Sequence, residues 1–163
     1  MTIPRNIKRH LDANDVVYRH LSHPQEFTSA KTAEALDMTG RAYAKTVVVV
    51  VDDRLIMAAV PANQRVDVEE LAHMAGASSV RLATEPEFKD SFPNCEVGAM
   101  PPLGELFDIP VWLDASFEKQ LSIAFDAGTH TDSVEVGLED FRRLVRARVA
   151  RLTELDESSK RKE

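Results

Sequence analysis

Six consecutive β-branched residues at positions 46–51 constrain the fold of this chain more than any other feature of its sequence. Such side chains favour extended backbone, and a strand without polar alternation is typical of the middle of a sheet, buried on both faces. Asp52, Asp53 and Arg54 then turn the chain, and a second apolar run at 55–60 follows at hairpin distance. The sequence therefore predicts an antiparallel hairpin at the centre of the core.

The rest of the chain reads as helices mixed with short strands. Gly40 is expected to end the second helix in a left-handed conformation. Helices are predicted at 7–13, 29–37, 67–75 and 138–152, a helical turn at 84–92, and strands at 16–21, 80–82, 109–113, 121–125 and 134–136. We therefore expect an α+β fold in which a central mixed, largely antiparallel sheet is flanked by helices. Residues 1–155 are expected to form one domain, and residues 156–163 a disordered tail.

Composition narrows the class of protein. The net charge of −7 disfavours the broad basic surface of a DNA-binding protein, although a small pocket for one terminal nucleotide stays compatible with it. The chain has no apolar run long enough to span a membrane, and its single cysteine, Cys95, has no disulfide partner. A cytoplasmic protein without membrane association is expected. Five arginines between positions 142 and 151 form either a solvated helix face or an RNA contact.

Two titratable residues lie where a strand meets a loop. Lys45 directly precedes the β-branched run, where its ammonium can project into a crevice and bind an anion, or can simply be a solvated strand end. His130 follows Gly128 in a segment rich in hydroxyls and carboxylates, where it can act as an acid or base near neutral pH, or can be an exposed loop histidine. The residues alone leave both alternatives open.

The segment 97–104 is the third candidate. Gly98 and Gly104 bracket the dipeptide Pro101-Pro102, and such a loop either holds backbone N–H groups in a concave geometry suited to a carbonyl oxygen or is a plain tight turn. The sequence contains no paired-cysteine or H-E-x-x-H pattern and no glycine-rich phosphate loop. Neither a metal nor a cofactor is therefore expected.

Taken in order, these segments resemble the YbaK/ProX family of aminoacyl-tRNA editing domains and the related editing domain inserted in bacterial prolyl-tRNA synthetases. The resemblance rests on a lysine heading a K-T-V-V-V strand, a G-x-x-x-P-L-G loop, and an A-G-x-x-x-x-x-V-x-V segment before the final helix. It covers most of the chain. It implies a mixed sheet flanked by helices and an enzyme that cleaves a wrongly attached amino acid from the terminal adenosine of tRNA.

The resemblance also implies roles for individual residues. Lys45 would hold the phosphate or ribose of the terminal adenosine, the loop of Gly98 would polarise the ester carbonyl, and the backbone of Gly128 would face the substrate. His130 departs from the family pattern, in which a histidine lies farther into the glycine loop, and is a catalytic candidate through its own acid–base chemistry. The residues expected to contact substrate are Phe27, Thr28, Met100, Pro101, Pro102, Gly104 and Thr129. The implied partners are the acceptor end of aminoacyl-tRNA and an aminoacyl-tRNA synthetase that helps to select the tRNA.

Two other classes of protein stay open on the sequence. One is a non-catalytic module that uses the same crevice to bind a nucleotide or aminoacyl group. The other is an α+β domain whose short motifs match by coincidence. A Lys45→Ala protein separates the first of these from an enzyme, because a binding module has no turnover to lose.

Overall fold

The β-branched run becomes part of strand β2 (Tyr43–Val51) in the computed structural model, which describes residues 2–154. It pairs antiparallel with β3 (Arg54–Pro61). Asp52 and Asp53 between the strands have φ angles of 45° and 70°, the left-handed conformation that tight hairpin turns require. The predicted central hairpin is therefore confirmed.

The remaining elements follow in short segments. The other strands are β1 (Tyr18–Ser22), β4 (Val80–Leu82), β5 (Val111–Asp114), β6 (Ser122–Thr129), β7 (Asp132–Gly137) and β8 (Arg148–Ala150). The helices are α1 (Arg5–Ala13), α2 (Ser29–Ala35), α3 (Val68–Ala75), α4 (Glu85–Phe88), α5 (Gly104–Phe107) and α6 (Leu138–Val145), with 3-10 turns at Lys89–Ser91 and Ala115–Lys119. No helix in this part of the chain is long and apolar enough to cross a membrane.

All eight strands belong to one mixed sheet, in the order β1-β7-β6-β2-β3-β5-β8, with β4 also paired to β2. The pairings β2/β6, β3/β5 and β5/β8 are parallel, and the other four are antiparallel, which confirms the predicted α+β class. Because β3, β5 and β8 are parallel, their first residues share one edge of the sheet and their last residues share the other. We call these the amino edge (Arg54, Val111 and Arg148) and the carboxyl edge (Pro61, Asp114 and Ala150).

Helices cover both faces of the sheet. On one face, the buried residues of α1, α5 and α6 join the largest apolar cluster, which includes Phe125 of β6. On the other face, Leu71 of α3 packs with β2 and β3, and Ala33 of α2 packs with Tyr43 and Ala124. Strand β2 is thus central and enclosed on both sides, as its apolar sequence predicts.

The second helix ends earlier than predicted. Asp37, with a φ of 58°, takes the left-handed position that was expected for Gly40. The amide of Met38 then donates to the carbonyl of Ala33 at 2.8 Å, and the helix ends at Ala35, five residues before Gly40. Gly40 instead packs against Asn63, whose Cγ would lie 3.0 Å from a Cβ at this position.

The prediction of one helix over 138–152 is also wrong. Helix α6 ends at Val145, because Arg146 adopts a left-handed φ of 53°. The chain then forms β8 beside β5, and the amide of the buried Leu152 donates to Oδ1 of Asp114 at 2.7 Å. The apolar residues near the end of this segment are buried by strand pairing, which apolar spacing alone does not distinguish from a helical face.

Two smaller differences concern the candidate segments. Strand β6 continues to Thr129, so the region around Gly128 is an irregular strand end and not the predicted loop. Gly104 begins the short helix α5, which was not predicted. The expected disordered tail at 156–163 lies outside the described residues.

Candidate functional site

The candidate site begins where strands β2 and β6 stop pairing, and we call this separation of the two strands the crevice. The two parallel strands are bridged at only two residue pairs, the last of which is Ala44 with Phe125. Lys45 and Asp126 come next on the two strands, and side-chain alternation places both on the face of the sheet that carries Tyr43. The fold therefore sets an ammonium and a carboxyl group on one face, at the point where the strands stop pairing.

Lys45 is a half-buried cation. Burial lowers its pKa, and the neighbouring charge of Arg65 lowers it further. Its ammonium has no ion-pair partner within residues 2–154. A cation that is partly desolvated and unpaired favours binding of an anionic or strongly polar ligand.

His130, at the turn between β6 and β7, is fixed by three neighbouring segments. Its Nε2 lies 2.9 Å from the carbonyl of Val97, its ring centroid lies 5.0 Å from that of Phe27, and its carbonyl accepts from the amide of Glu26. The side chain is 8% exposed, so it is not the solvated loop histidine considered from sequence. Because a carbonyl can only accept, Nε2 carries the hydrogen, and Nδ1 is the basic atom of the neutral ring.

The loop of Gly98 packs directly against this histidine. A Cβ on Gly98, which has a φ of 88°, would lie 3.4 Å from Cε1 of His130. The amide of Gly98 donates only to Sδ of Met100 at 3.2 Å, and a thioether is a weak acceptor. This exposed amide is therefore available to a stronger acceptor, such as a carbonyl oxygen.

Gly128 joins the loop to the end of β6. Its amide donates to the carbonyl of Ala99 at 2.9 Å, and its carbonyl accepts from the amide of Glu96 at 2.8 Å. A Cβ here would lie 2.7 Å from Cγ of Pro4 and 2.8 Å from Cδ1 of Ile7. Gly128 thus allows α1 to approach the strand and anchors the loop, while its own backbone groups are already paired.

Other residues that were predicted to contact substrate already have structural roles. The hydroxyl of Thr28 caps α2 by accepting from the amide of Lys31 at 3.2 Å, and the hydroxyl of Thr129 donates to Asp132 at 2.6 Å. Met100, Pro101 and Pro102 are buried within the loop.

Gly104 is placed elsewhere. It lines a cavity of about 470 Å³ at the amino edge, together with Arg54, Arg146 and Arg148. The carbonyl of Ile109 would lie 2.6 Å from a Cβ on Gly104, so this glycine is required by packing. The structure thus brings Phe27, Gly98 and His130 together but does not bring Gly104 to them.

A chain of hydrogen bonds next to the crevice was missed from sequence. The hydroxyl of Tyr43 donates to Oδ1 of Asp126 at 2.6 Å and also meets the hydroxyl of Ser133, which lies 3.0 Å from Nε2 of His23. Tyr43 stands two residues before Lys45, a spacing that places both on one face of a strand and could have identified it. Nothing in the sequence connects His23 or Ser133 to Tyr43.

Burial is the largest influence on the pKa values of Asp126 and Tyr43 in this chain of hydrogen bonds. It raises the pKa of Asp126 to about 6, against the hydrogen bond from Tyr43 and the charges of His130 and His23. Burial and then the charge of Asp126 raise the pKa of Tyr43 above its ordinary value. Nδ1 of His23 faces the carbonyl of Pro24 at 2.8 Å and so carries a hydrogen, while Nε2 lies 3.0 Å from the hydroxyl of Ser133. Two hydroxyl groups therefore link a carboxyl group to an imidazole.

Other residues with reactive or titratable side chains lie outside the crevice. Burial raises the pKa of Cys95 to about 12, so its thiol stays protonated near neutral pH. Asp132 accepts from His20 at 2.7 Å; burial alone would raise its pKa, but hydrogen bonds from Thr129, His20 and Thr131 outweigh that effect and lower it. Within residues 2–154, no three His, Cys, Asp or Glu side chains are grouped to hold a metal ion.

Known proteins resemble this chain in sequence and in fold. A proline-tRNA ligase of Bacillus cereus (strain G9842) is 28% identical over 122 residues, which is 73% of this chain and 21% of the ligase. A proline-tRNA ligase 1 of Bacillus thuringiensis subsp. konkukian (strain 97-27) is 35% identical over 89 residues, which is 53% of this chain and 16% of that protein. The chain thus spans about a fifth of the length of the curated relatives that it matches.

Solved structures extend the likeness of the fold to nearly the whole chain. A candidate trans-editing enzyme for prolyl-tRNA synthetase superposes with a TM-score of 0.78 at 20% identity, covering 94% of this chain and 100% of that one. A hypothetical protein of known structure gives 0.82 at 20% identity, covering 92% and 100%. The sequence profile of the aminoacyl-tRNA editing domain matches residues 23–144, most of the chain. This chain therefore belongs to the aminoacyl-tRNA editing domain family.

Proposed function

We propose that this protein is a trans-editing hydrolase that cleaves the ester between a wrongly attached amino acid and the 3′-terminal adenosine of tRNA. The observation that carries the proposal is the unpaired, half-buried Lys45, which directly follows the last bridge between β2 and β6 in an editing-domain fold. The buried carboxyl of Asp126 occupies the equivalent position on β6, on the same face of the sheet. An anionic nucleotide end and a polar ester together match this pair of groups in charge and hydrogen-bonding capacity.

The reaction needs positioning more than a strong nucleophile, because an aminoacyl ester is already activated. Lys45 holds the phosphate or ribose of the terminal adenosine. The amide of Gly98, whose partner in the structure is a thioether, donates to the ester carbonyl oxygen as negative charge develops there. Phe27 is 71% exposed and packs against His130 with the two rings tilted by 52°, and it forms an apolar wall for the attached amino acid.

Water supplies the nucleophile. The water oxygen bonds to the ester carbonyl carbon, the bond from that carbon to the ribose oxygen breaks, and the ribose oxygen takes up a proton. Nδ1 of His130 and the carboxylate of Asp126 are the two protein groups that can accept the proton lost by water. The vicinal ribose hydroxyl helps to position the water. This scheme requires neither a metal nor a cofactor.

Selection of the tRNA is proposed to depend on a partner. The net charge of −7 is unfavourable for a broad contact with an RNA duplex, whereas the crevice needs to hold only the acceptor end. We propose that an aminoacyl-tRNA synthetase presents or helps to select the tRNA. The proposed place of action is the cytoplasm, where tRNA is charged.

The deciding experiment measures deacylation of radiolabelled mischarged tRNAs. Because the matched relatives are proline-tRNA ligases, the first panel is proline tRNA charged with alanine, serine, cysteine or proline. We expect hydrolysis of at least one mischarged species, sparing of the correctly charged species, and a loss of at least about 100-fold in Lys45→Ala, the size typical for removal of one electrostatic contact to the reacting group.

Lys89→Ala is the matched control, because Lys89 is an exposed lysine on the 3-10 turn and should not alter turnover. No hydrolysis of any species, together with tight binding of aminoacyl-tRNA by the unmodified protein and not by Lys45→Ala, would instead identify a non-catalytic binding module. Equal hydrolysis by the unmodified protein and Lys45→Ala would remove Lys45 from the mechanism.

A further inference from the structure

A cavity of about 650 Å³ opens at the carboxyl edge of the sheet, close to Lys45. Its wall includes the last residues of β3 and β5, Pro61 and Asp114, and also Arg41, which precedes β2. Pro61 pairs with Ala44, the residue next to Lys45. The volume lies within the range of about 300–1,000 Å³ that small-molecule pockets occupy.

Two cations in the cavity wall have no ion-pair partner among the described residues. Arg41 and Lys119 both line the cavity, and within residues 2–154 neither has a carboxylate within ion-pair distance. Arg65 acts on the charge of Lys45, and its carbonyl accepts from the amide of Glu154 in the cavity wall at 2.9 Å. The backbone of Arg65 therefore adjoins the cavity wall, while its charge acts on Lys45.

Asp114, one of the two carboxylates in the wall, already accepts hydrogen bonds from the protein. Asp114 accepts hydrogen bonds from the amides of Ser116 and Leu152 at 3.2 and 2.7 Å, and Arg151 in the same wall pairs with Glu70 at 3.2 Å. Glu154 is the remaining carboxylate of the wall. The oxygens of Asp114 are thus occupied by hydrogen bonds, whereas the donors of Arg41 and Lys119 remain available to phosphate oxygens.

We propose that this cavity binds the phosphate and ribose groups of the nucleotides that precede the terminal adenosine in the single-stranded acceptor end of tRNA. The inference rests on the proposed function, in which Lys45 holds the terminal nucleotide, and it names the part of the substrate that continues outward from the crevice. Arg41 and Lys119 contact phosphate oxygens. The amides of Gln64 and Gln120, also in the wall, offer donors and acceptors to riboses and bases.

The test compares two substrates of different length. A double variant Arg41→Gln/Lys119→Gln is assayed on mischarged tRNA and on the corresponding 3′-aminoacyl-adenosine, which has no preceding nucleotide. We expect kcat/KM on tRNA to fall at least about tenfold more than kcat/KM on the short ester, since one charge-assisted hydrogen bond corresponds to roughly that factor. The slope of log(kcat/KM) on tRNA against log[salt] should become shallower by about 1.4, the value for two contacts with a single strand.

The control removes two arginines at the opposite edge. Arg54→Gln/Arg146→Gln lowers the net charge equally, so it should leave the ratio between the two substrates and the salt slope unchanged. Equal losses on both substrates, no loss on tRNA, or the same effect from the control pair would overturn the proposal.

Failure of the proposed function is distinguishable from failure of this inference. If the unmodified protein hydrolyses neither substrate, fluorescence anisotropy with an uncharged oligonucleotide ending in CCA replaces the assay. If the oligonucleotide binds to the unmodified protein and to the control pair but not to the Arg41→Gln/Lys119→Gln variant, the nucleotide subsite is supported although the activity is not. Equal binding by all three proteins, binding by none, or equally tight binding of free mononucleotides would refute it.

Discussion

The two edges of the sheet each carry a cavity lined by arginines, but the surroundings of those arginines differ. At the amino edge, Arg148 stacks over Trp112 with its Cζ 5.9 Å from the ring centroid and donates to the carbonyl of Met74 at 3.1 Å. At the carboxyl edge, Arg41 has no carboxylate within ion-pair distance among the described residues, and the half-buried Lys45 lies nearby. The other two arginines of the amino-edge cavity also lack an ion-pair partner among the described residues, so the half-buried, unpaired Lys45 is what distinguishes the carboxyl edge.

The edges differ also in what lies beneath them. Next to the carboxyl edge, Tyr43 and Ser133 connect Asp126 to His23 by hydrogen bonds inside the protein. Beneath the amino edge, Val111, Trp112 and Val145 are apolar core residues. Buried polar groups are costly unless they are paired, and their concentration at one edge is more informative about function than surface charge at either.

The largest expected effect separates function from stability at Lys45. Lys45→Met keeps the length of the side chain but removes its charge, so deacylation should fall by at least about 100-fold. The free energy of unfolding should stay equal or rise, because the variant no longer places an unpaired charge in a half-buried site. Steady-state kinetics and urea unfolding of the same preparation check both. A parallel loss of stability would mean that the lysine supports the fold.

The next effect concerns the pH dependence of stability at Asp126. Its pKa of about 6 lies above the value of an unfolded aspartate, so the folded state holds a proton that the unfolded state releases first. The stabilising contribution is full below about pH 4 and is lost as pH rises to about 6, a change of about 3 kcal/mol. Urea unfolding between pH 4 and 7 should show this decline in the unmodified protein but not in Asp126→Asn. An identical profile in the two proteins would contradict the raised pKa.

At the amino edge, Arg148→Ala should have the opposite effect to that predicted for Lys45→Met: stability should fall and activity should not. Loss of the contact with Trp112 is expected to lower the free energy of unfolding by about 1 kcal/mol while kcat/KM for deacylation stays unchanged. Thermal unfolding and the tRNA assay measure the two quantities. A marked loss of activity in a folded Arg148→Ala protein would break the distinction between the two edges.

The smallest effect is a gain in stability at the end of α6. Arg146 holds a left-handed φ of 53°, which is unfavourable for a residue with a Cβ. Arg146→Gly should raise the free energy of unfolding by about 0.5–1 kcal/mol and leave deacylation unchanged. Chemical denaturation detects the gain, and Arg143→Gly, within the same helix, should be destabilising. No gain at position 146 would mean that the arginine side chain stabilises this segment.

Sequence predicted those parts of the fold that local physics determines. The β-branched strand and its hairpin needed only intrinsic preference and a turn, and α3 followed from its apolar spacing. Gly76 ends that helix at a φ of 63°, a conformation that glycine adopts readily. The end of α6 was missed because Val145 and Val149 have the i, i+4 spacing of a helical face, while the pairing of β8 with β5 decides the outcome from a distant part of the chain.

The candidate site was predictable to a similar extent. Lys45, Gly98 and His130 lie in short motifs, so sequence could name them before their surroundings were known. The hydrogen bonds that join Tyr43 to Asp126 and to Ser133 span 83 and 90 residues, and no spacing rule reaches that far. Sequence therefore identified the loops of the site, while the polar chain behind them became visible only through the folding of β6 and β7 beside β2.

The close approach of α1 to Gly128 has a practical meaning for anyone who modifies this protein. Pro4 and Ile7 occupy the space that a side chain at 128 would fill, so the first helix braces the strand that anchors the Gly98 loop. An affinity tag or fusion partner joined ahead of Thr2 should be attached through a flexible spacer, so that the first helix remains seated. A property measured on a protein with a strained first helix would otherwise reflect the tag and not the native fold.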